Sequence, residues 1–283
     1  MKLRIMCISF IITLLLVAVS GCSMNENNEE SSQPKREAPG EIEKIEEIAL
    51  KIMQQADLIP LTKAATEQPN EESQSEETIT FEETILGEVI QKEMNNSGEE
   101  NQELPENTEE IWDSIKESIT ELYQQWDELE PQLTRENISP DIIKSFDETM
   151  DNLTVSGTEE NHFSTMVSAN QLTEYLSRIM APFEQNLVPA AYHFKYHTRN
   201  VLLAGAANNY LEAQNSLAYM EELKQKISKE LDNQGEGETA EKLDISLTNL
   251  QRVVDKQSLD LMKINASILM ENIIEAIQDL EQQ

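Results

Sequence analysis

Residues 231–250 read LDNQGEGETAEKLDISLTNL. The six residues Asp232-Asn233-Gln234-Gly235-Glu236-Gly237 within them decide the fold. Two glycines set among Asp, Asn and Glu make a turn by composition. After the turn, Leu243, Leu247, Leu250 and Val254 recur at helical spacing, and Leu261, Ile264 and Ile268 carry the stripe toward residue 280. Before it, a pattern that opens at Pro189 runs to Leu231, about 65 Å of helix if straight. Two long helices joined by a short glycine turn lie antiparallel.

Working outward, Ile111, Ile115, Ile119, Leu122, Trp126 and Leu129 line a helix over 108–130 that Pro131 is expected to stop. Ser139-Pro140-Asp141 is a start signal, with proline at the first helical position. Ile143, Phe146, Met150 and Leu153 then line a short helix ending toward Gly157. A further helix covers 163–185, with Val167, Leu172, Leu176, Ile179 and Phe183 inward. The mature chain has no convincing strand alternation and no glycine-rich phosphate loop. The expected fold is all-α: an elongated antiparallel bundle of about four main helices, residues 108–283.

The chain of 283 residues carries 54 Asp+Glu against 21 Lys+Arg, a formal net charge of −33. Such a surface repels phosphate backbones and anionic lipid, which excludes nucleic-acid binding or membrane adhesion through a basic patch. The charge is densest over residues 23–109, with 23 acids and 6 bases. Runs rich in Glu, Asn, Gln and Ser at 25–33, 67–77 and 95–106 cannot bury enough apolar surface to offset ordering entropy. Residues 22–107 therefore read as an acidic, mostly disordered tether. Two short amphipathic helices interrupt it, near 41–58 (Ile42, Ile45, Ala49, Ile52, Met53, ending before Pro60) and near 80–94 (Phe81, Ile85, Val89, Ile90). Each is expected either to dock on the bundle or to await a partner.

The first residues specify an address. Lys2 and Arg4 precede an apolar run over 8–19, a basic n-region and h-region of an export signal. Val19-Ser20-Gly21-Cys22 follows, a branched apolar residue and two small residues before cysteine. This resembles the lipobox of bacterial lipoproteins, and with the helical plan the chain resembles helical surface lipoproteins that lack an assigned activity. The resemblance implies removal of signal peptide 1–21, cleavage between Gly21 and Cys22, and a diacylglyceryl thioether on Cys22. It places the protein on the extracytoplasmic face of a bacterial cell membrane. Cys7 lies in the signal and Cys22 is lipidated, so no thiol is left for a disulfide, a metal or nucleophilic attack.

Candidate chemistry is sparse. His193 and His197 lie one helical turn apart and share a face, a spacing that can chelate a divalent metal. Phe194, not Glu, follows the first histidine, so the zinc-protease pattern is absent. The plain alternative is that His197 fills the inner stripe, hydrogen-bonded, with His193 at its edge. Glu159 and His162 repeat the E-x-x-H spacing of di-iron bundles once only, at a helix start, where an acidic first turn complementing the helix dipole explains it better. Ala204-Gly205-Ala206-Ala207-Asn208-Asn209 interrupts the long helix. It suits close approach of another helix or of a bulky side chain such as Trp112 or Trp126. The functional alternative is a small pocket lined by Asn208, Asn209, Tyr210 and His197. The methionines are core filler.

No acid, base and nucleophile set stands out, so a non-enzymatic protein is expected. The first reading is a membrane-tethered interaction or scaffold module whose helical bundle meets a protein partner, while the lipid holds it to the membrane. The alternative is a metal- or small-ligand-binding lipoprotein using the bundle core near His193 and His197. No cofactor is implied beyond the lipid on Cys22 and that possible metal.

Overall fold

The computed structural model describes residues 38–67, 83–95, 107–183 and 187–281. Gly21, Cys22, the rest of the signal segment and Phe81 lie outside them. Among the described residues the chain forms nine helices and no strand. They are α1 Glu41–Glu67, α2 Gly87–Asn95, α3 Thr108–Arg135, α4 Pro140–Thr158, α5 His162–Met180, α6 Val188–Ala206, α7 Tyr210–Gln234, α8 Gly237–Val254 and α9 Leu259–Glu281. The all-α expectation holds. No described helix is long and apolar enough to cross a membrane.

The count of four main helices does not hold, because both long helices fold back on themselves. The expected helix from Pro189 to Leu231 breaks at Ala207-Asn208-Asn209 into α6 and α7. His197 stacks on Tyr219, and the Asn200 side-chain amide donates to Ser216 Oγ at 2.8 Å, so the two helices run antiparallel. The expected final helix breaks after Val254 into α8 and α9. Thr239 pairs with Asp279 and Lys242 with Glu275 along that hairpin. This break turns the α9 stripe over. Leu261, Ile264 and Ile268, expected inside, are 38%, 51% and 51% exposed, while Met262, Ala266, Leu269, Met270 and Ile273 are buried. Val167 is likewise 40% exposed, its place in the core taken by Met166 and Ala169.

One device closes these turns. Asn137, Glu160, Asn208, Gly235 and Gln257 have φ between 54° and 95°, and each ends a helix by entering the left-handed region. At four of the five, the next amide reaches back to the carbonyl five residues earlier. These bonds are Ile138 N–H to Leu133 O, Asn161 to Ser156, Asn209 to Ala204 and Glu236 to Leu231, at 2.8–3.0 Å. That bond satisfies a carbonyl the helix end leaves open. Glycine and asparagine enter this region readily, whereas other L-residues are strained there.

Helices α1 and α2, expected as tether elements, dock on the rest. They belong with the other helices to one compact unit, Arg36–Gln283, so the helical body does not begin at residue 108. Ile45, Ala49, Ile52, Met53, Leu86 and Ile90 are buried, and α1 packs against α3 and α5 while α2 lies on α9. Two prolines fail to stop their helices. Pro60 and Pro131 both sit inside, at exposed positions, with Ile59 and Thr62 buried around the first and Leu129 and Leu133 around the second. Burial of the following turn outweighs the lost hydrogen bond of about 3 kcal/mol. Asp57 of α1 accepts the backbone amides of Ile85 (2.9 Å) and Leu86 (2.5 Å), and so anchors the entry to α2. Burial pushes this carboxyl above the ordinary range against those two bonds.

At Gly205 the expected close approach occurs, but a methionine makes it. A Cβ there would stand 2.4 Å from Met262 Cε of α9. Trp126 instead stacks on Phe146 with ring centroids 4.0 Å apart, and its indole N–H donates to Asp147 at 2.7 Å, joining α3 to α4.

Gln257 holds a strained φ of 54°. Replacing it by glycine is expected to raise unfolding stability by about 0.5–1 kcal/mol. Urea denaturation measures this, and an unchanged or lower midpoint would show that the turn carries no backbone strain.

Candidate functional site

Helix α6 reads YHFKYHTRN over residues 192–200, a run that looks like a solvent-facing surface, yet Phe194, Lys195, Tyr196, His197, Thr198 and Arg199 are all buried. The helix is enclosed by α5, α7 and α9, with α1 and α2 reaching its polar side chains. Arg199 is fully buried, and each of its five N–H donors has an acceptor. Nε donates to Asn170 Oδ1 at 2.8 Å. Nη1 donates to both carboxylate oxygens of Glu93 at 2.9 Å. Nη2 donates to Glu46 Oε1 at 3.1 Å and Thr173 Oγ1 at 2.9 Å. Lys195 adds a second cation, 3.0 Å from Glu93 and 3.8 Å from Glu46, over the ring of Tyr192. Two cations and two carboxylates thus neutralise one another inside the body, and they come from α1, α2 and α6.

The ionisation states follow from that pairing. Burial works against the charged forms of Arg199 and Lys195, yet Glu93 and Glu46 hold both cations above their ordinary values. Burial also works against the Glu46 carboxylate, but Arg199, Lys195 and the Thr173 hydroxyl hold its carboxyl below the ordinary value. All three stay charged at neutral pH. With these pairings the quartet reads as a structural clasp.

The two histidines do come together. Their rings stack at 4.7 Å, and His197 is sandwiched between His193 and Tyr219, whose centroid lies 5.3 Å away. His197 is 6% exposed, and neither ring nitrogen has a hydrogen-bond partner, so the expected hydrogen-bonded core histidine is corrected to a stacked, unbonded one. Burial first, and then His193, lower its pKa from an ordinary 6.5 to about 3. Rings held face to face do not aim two in-plane lone pairs at one point, as a chelate requires. Among the described residues, no group of three or more His, Cys, Asp or Glu side chains is placed to hold a metal. Asn208, Asn209 and Tyr210 lie at the α6–α7 turn: Asn208 and Asn209 are exposed, Asn209 caps α7 through Glu212 N–H, and the Tyr210 hydroxyl donates to Gln257 O. They tie two turns together. Glu159 and Glu160 form the α4–α5 turn, where Glu160 pairs with Lys116.

Sequence reasoning missed Glu46, Glu93, Asn170, Lys195 and Arg199. The one available signal was that Lys195 and Arg199, at i and i+4, lie on the face opposite no obvious acidic partner in their own helix.

Arg199→Met should cost about 3–5 kcal/mol, because it leaves two buried carboxylates sharing a single cation, Lys195. A double Glu46→Gln/Arg199→Met variant, which leaves Lys195 paired with Glu93, should recover part of that loss in chemical denaturation. A single variant within 1 kcal/mol of the parent would show that the clasp does not hold α1 and α2.

The low pKa of His197 sets a pH dependence. Between pH 6.5 and about 3 the unfolded chain binds a proton that the folded chain does not, so stability falls as pH drops through this window. His197→Phe keeps the stack and should flatten the fall by up to about 1.4 kcal/mol per pH unit between pH 6.5 and 5. Parallel profiles for the two proteins would refute it.

No family model, curated protein or solved structure matches the chain, so its function rests on its own residues.

Proposed function

We propose that this protein is a lipid-anchored, extracytoplasmic, non-enzymatic interaction module of a bacterial cell membrane. The observation that carries the reading is Val19-Ser20-Gly21-Cys22 behind a basic, apolar leader. Two acyl chains on Cys22 suffice for stable anchoring. The tether is then the stretch of sequence from residue 23 to residue 40, between Cys22 and the start of α1. This is shorter than a tether ending at residue 107, because α1 and α2 dock on the body.

The partner that fits is a protein presenting basic groups around an apolar ridge. The net charge of −33 favours encounter with a cationic surface. The exposed α9 row Leu261, Ile264 and Ile268, spaced by three and four, supplies apolar contact on one helix face. The buried charges of α6 support a non-enzymatic role, since their pairing leaves them structural.

Replacing Cys22 with Ala should release the protein from membranes and change its electrophoretic mobility. In-cell crosslinking of the parent should capture a basic partner, and Ile264→Asp/Ile268→Asp, at exposed positions, should abolish that capture without loss of helicity. A Cys22→Ala protein that stays membrane-bound would refute the anchor. Capture indifferent to the α9 variant would refute the interaction face.

A further inference from the structure

Of the eight large apolar side chains exposed among the described residues, four lie on one hairpin: Ile245 of α8 and Leu261, Ile264 and Ile268 of α9. The others are spread over α4, α5 and α7. The same hairpin is where the acidity of the chain lapses. Its 26 residues from Ile245 to Met270 hold two acids and three bases, in a chain of 54 acids and 21 bases. The acids that bound this stretch face bases of their own: Asp244 pairs with Lys224, Glu271 with Lys92 and Glu275 with Lys242. At the turn, Arg252, Asp255, Lys256 and Asp260 are exposed, and none of the four is in an ion pair with a described residue. Two charges of each sign thus stand beside an apolar row whose spacing of three and four is that of a helix–helix seam. Helix α3, by contrast, exposes Glu117, Glu121 and Glu128 with no base paired to them.

The two ends of α9 are not equivalent. Glu43 of α1 and Gln278 and Glu281 of α9 line one cleft, so the chain enters α1 beside the C-terminal end of α9. The α8–α9 turn lies about 35 Å away, at the other end of this 23-residue helix. Two chains anchored through Cys22 in one membrane therefore share an orientation, with their α8–α9 turns level. A two-fold axis along the membrane normal sets α9 beside α9 in parallel, so that each residue of the row meets its own counterpart.

We infer that the α9 face pairs with the same face of a second copy of this chain. Leu261, Ile264 and Ile268 form the seam, and Ile245 flanks it. Arg252 and Lys256 of each copy reach Asp255 and Asp260 of the other. The second copy is itself a protein presenting basic groups around an apolar ridge. Local charge balance is what admits a like-charged chain here, where α3 would repel it. The long-range field of two acidic bodies still opposes their encounter, and salt screens that field while leaving the seam intact. A row of three is a small contact, and confinement of both chains to one membrane raises their effective concentration. The inference rests on the lipid anchor and on α9 as an interaction face, and it names the occupant of that face.

The test is disulfide crosslinking of the full chain in isolated membranes. With Cys7 removed and Cys22 lipidated, an introduced cysteine is the only thiol. Ile264→Cys chains should join as dimers on mild oxidation, and Val155→Cys chains, equally exposed on α4, should not. The dimer yield should rise about threefold as salt goes from about 20 to about 150 mM, the opposite of the response to a cationic partner. In the Ile264→Cys background, Leu261→Asp/Ile268→Asp should lower the yield at least about fivefold. Arg252→Glu/Lys256→Glu should lower it too, and mixing those chains with Asp255→Lys/Asp260→Lys chains should restore it between the two variants. No Ile264→Cys crosslink overturns the inference, and so does a yield that falls with salt or ignores the Leu261→Asp/Ile268→Asp change. If that happens while Ile264→Asp/Ile268→Asp still abolishes capture of another protein in cells, the α9 face stands and only the second copy falls. The membrane fraction of the same cells reports the anchor separately.

Discussion

The guanidinium of Arg199 is the group on which this body depends. It lies at the centre of the helices, wholly out of water, and its five donors meet acceptors from α1, α2 and α5. An unpaired buried charge of this kind is intolerable, so each acceptor must be delivered to its place. Glu46 lies 153 residues before Arg199 and Glu93 lies 106 before it. The segments that carry them are otherwise surrounded by acidic, low-complexity chain. Hydrophobic burial at Ile45, Ile52 and Ile90 supplies the driving force for docking, and the clasp fixes which way round the two helices dock. A buried ion pair adds little net stability over a well-packed apolar equivalent, so register is the better account of its presence.

The clasp also changes how the acidity of the chain is understood. With 54 acids and 21 bases, a base is a scarce resource, yet two of them are buried in the body. Other bases pair across surface helix junctions, as Lys242 does with Glu275 and Lys116 with Glu160, where exposure limits each pair to a modest contribution. Because the clasp buries two acids along with its two bases, the net charge left to the outer surface is unchanged and stays strongly acidic. That field extends about a Debye length from the surface and is screened by salt.

A single physical solution also shapes the connections. Among the described residues, five turns place a residue in the left-handed region, and four close with the same backward amide bond. This ends a helix within two or three residues and sends the chain back along itself, so neighbours in sequence become neighbours in space. Only Gly235 enters that region without strain; Asn137 and Asn208 do so at modest cost, and Glu160 and Gln257 are held there by the packing of the helices they join.

The all-helical class, the start at Ser139-Pro140, the glycine turn at 235 and the buried stripes of α3, α4 and α8 were legible from residues alone, because each rests on a local rule: period, cap or turn chemistry. The breaks at Asn208 and after Val254 were not. The apolar period of 3.6 runs through both, and asparagine or glutamine permits a reversal without compelling one. Whether Leu261, Ile264 and Ile268 face inward or outward depended on which helix α9 met after the reversal. The same limit hid the candidate site. His193 and His197 were visible as a pair by spacing, but their stacking with Tyr219 and the lack of partners for His197 belong to the α6–α7 hairpin. Among 54 acids, nothing local distinguishes Glu46 and Glu93 from a solvated glutamate, since the difference lies in a guanidinium more than a hundred residues away. The sequence by itself determined that the chain is helical and where most of its helices lie; the tertiary structure alone decided which charges are buried, because burial of a charge is a property of its partners.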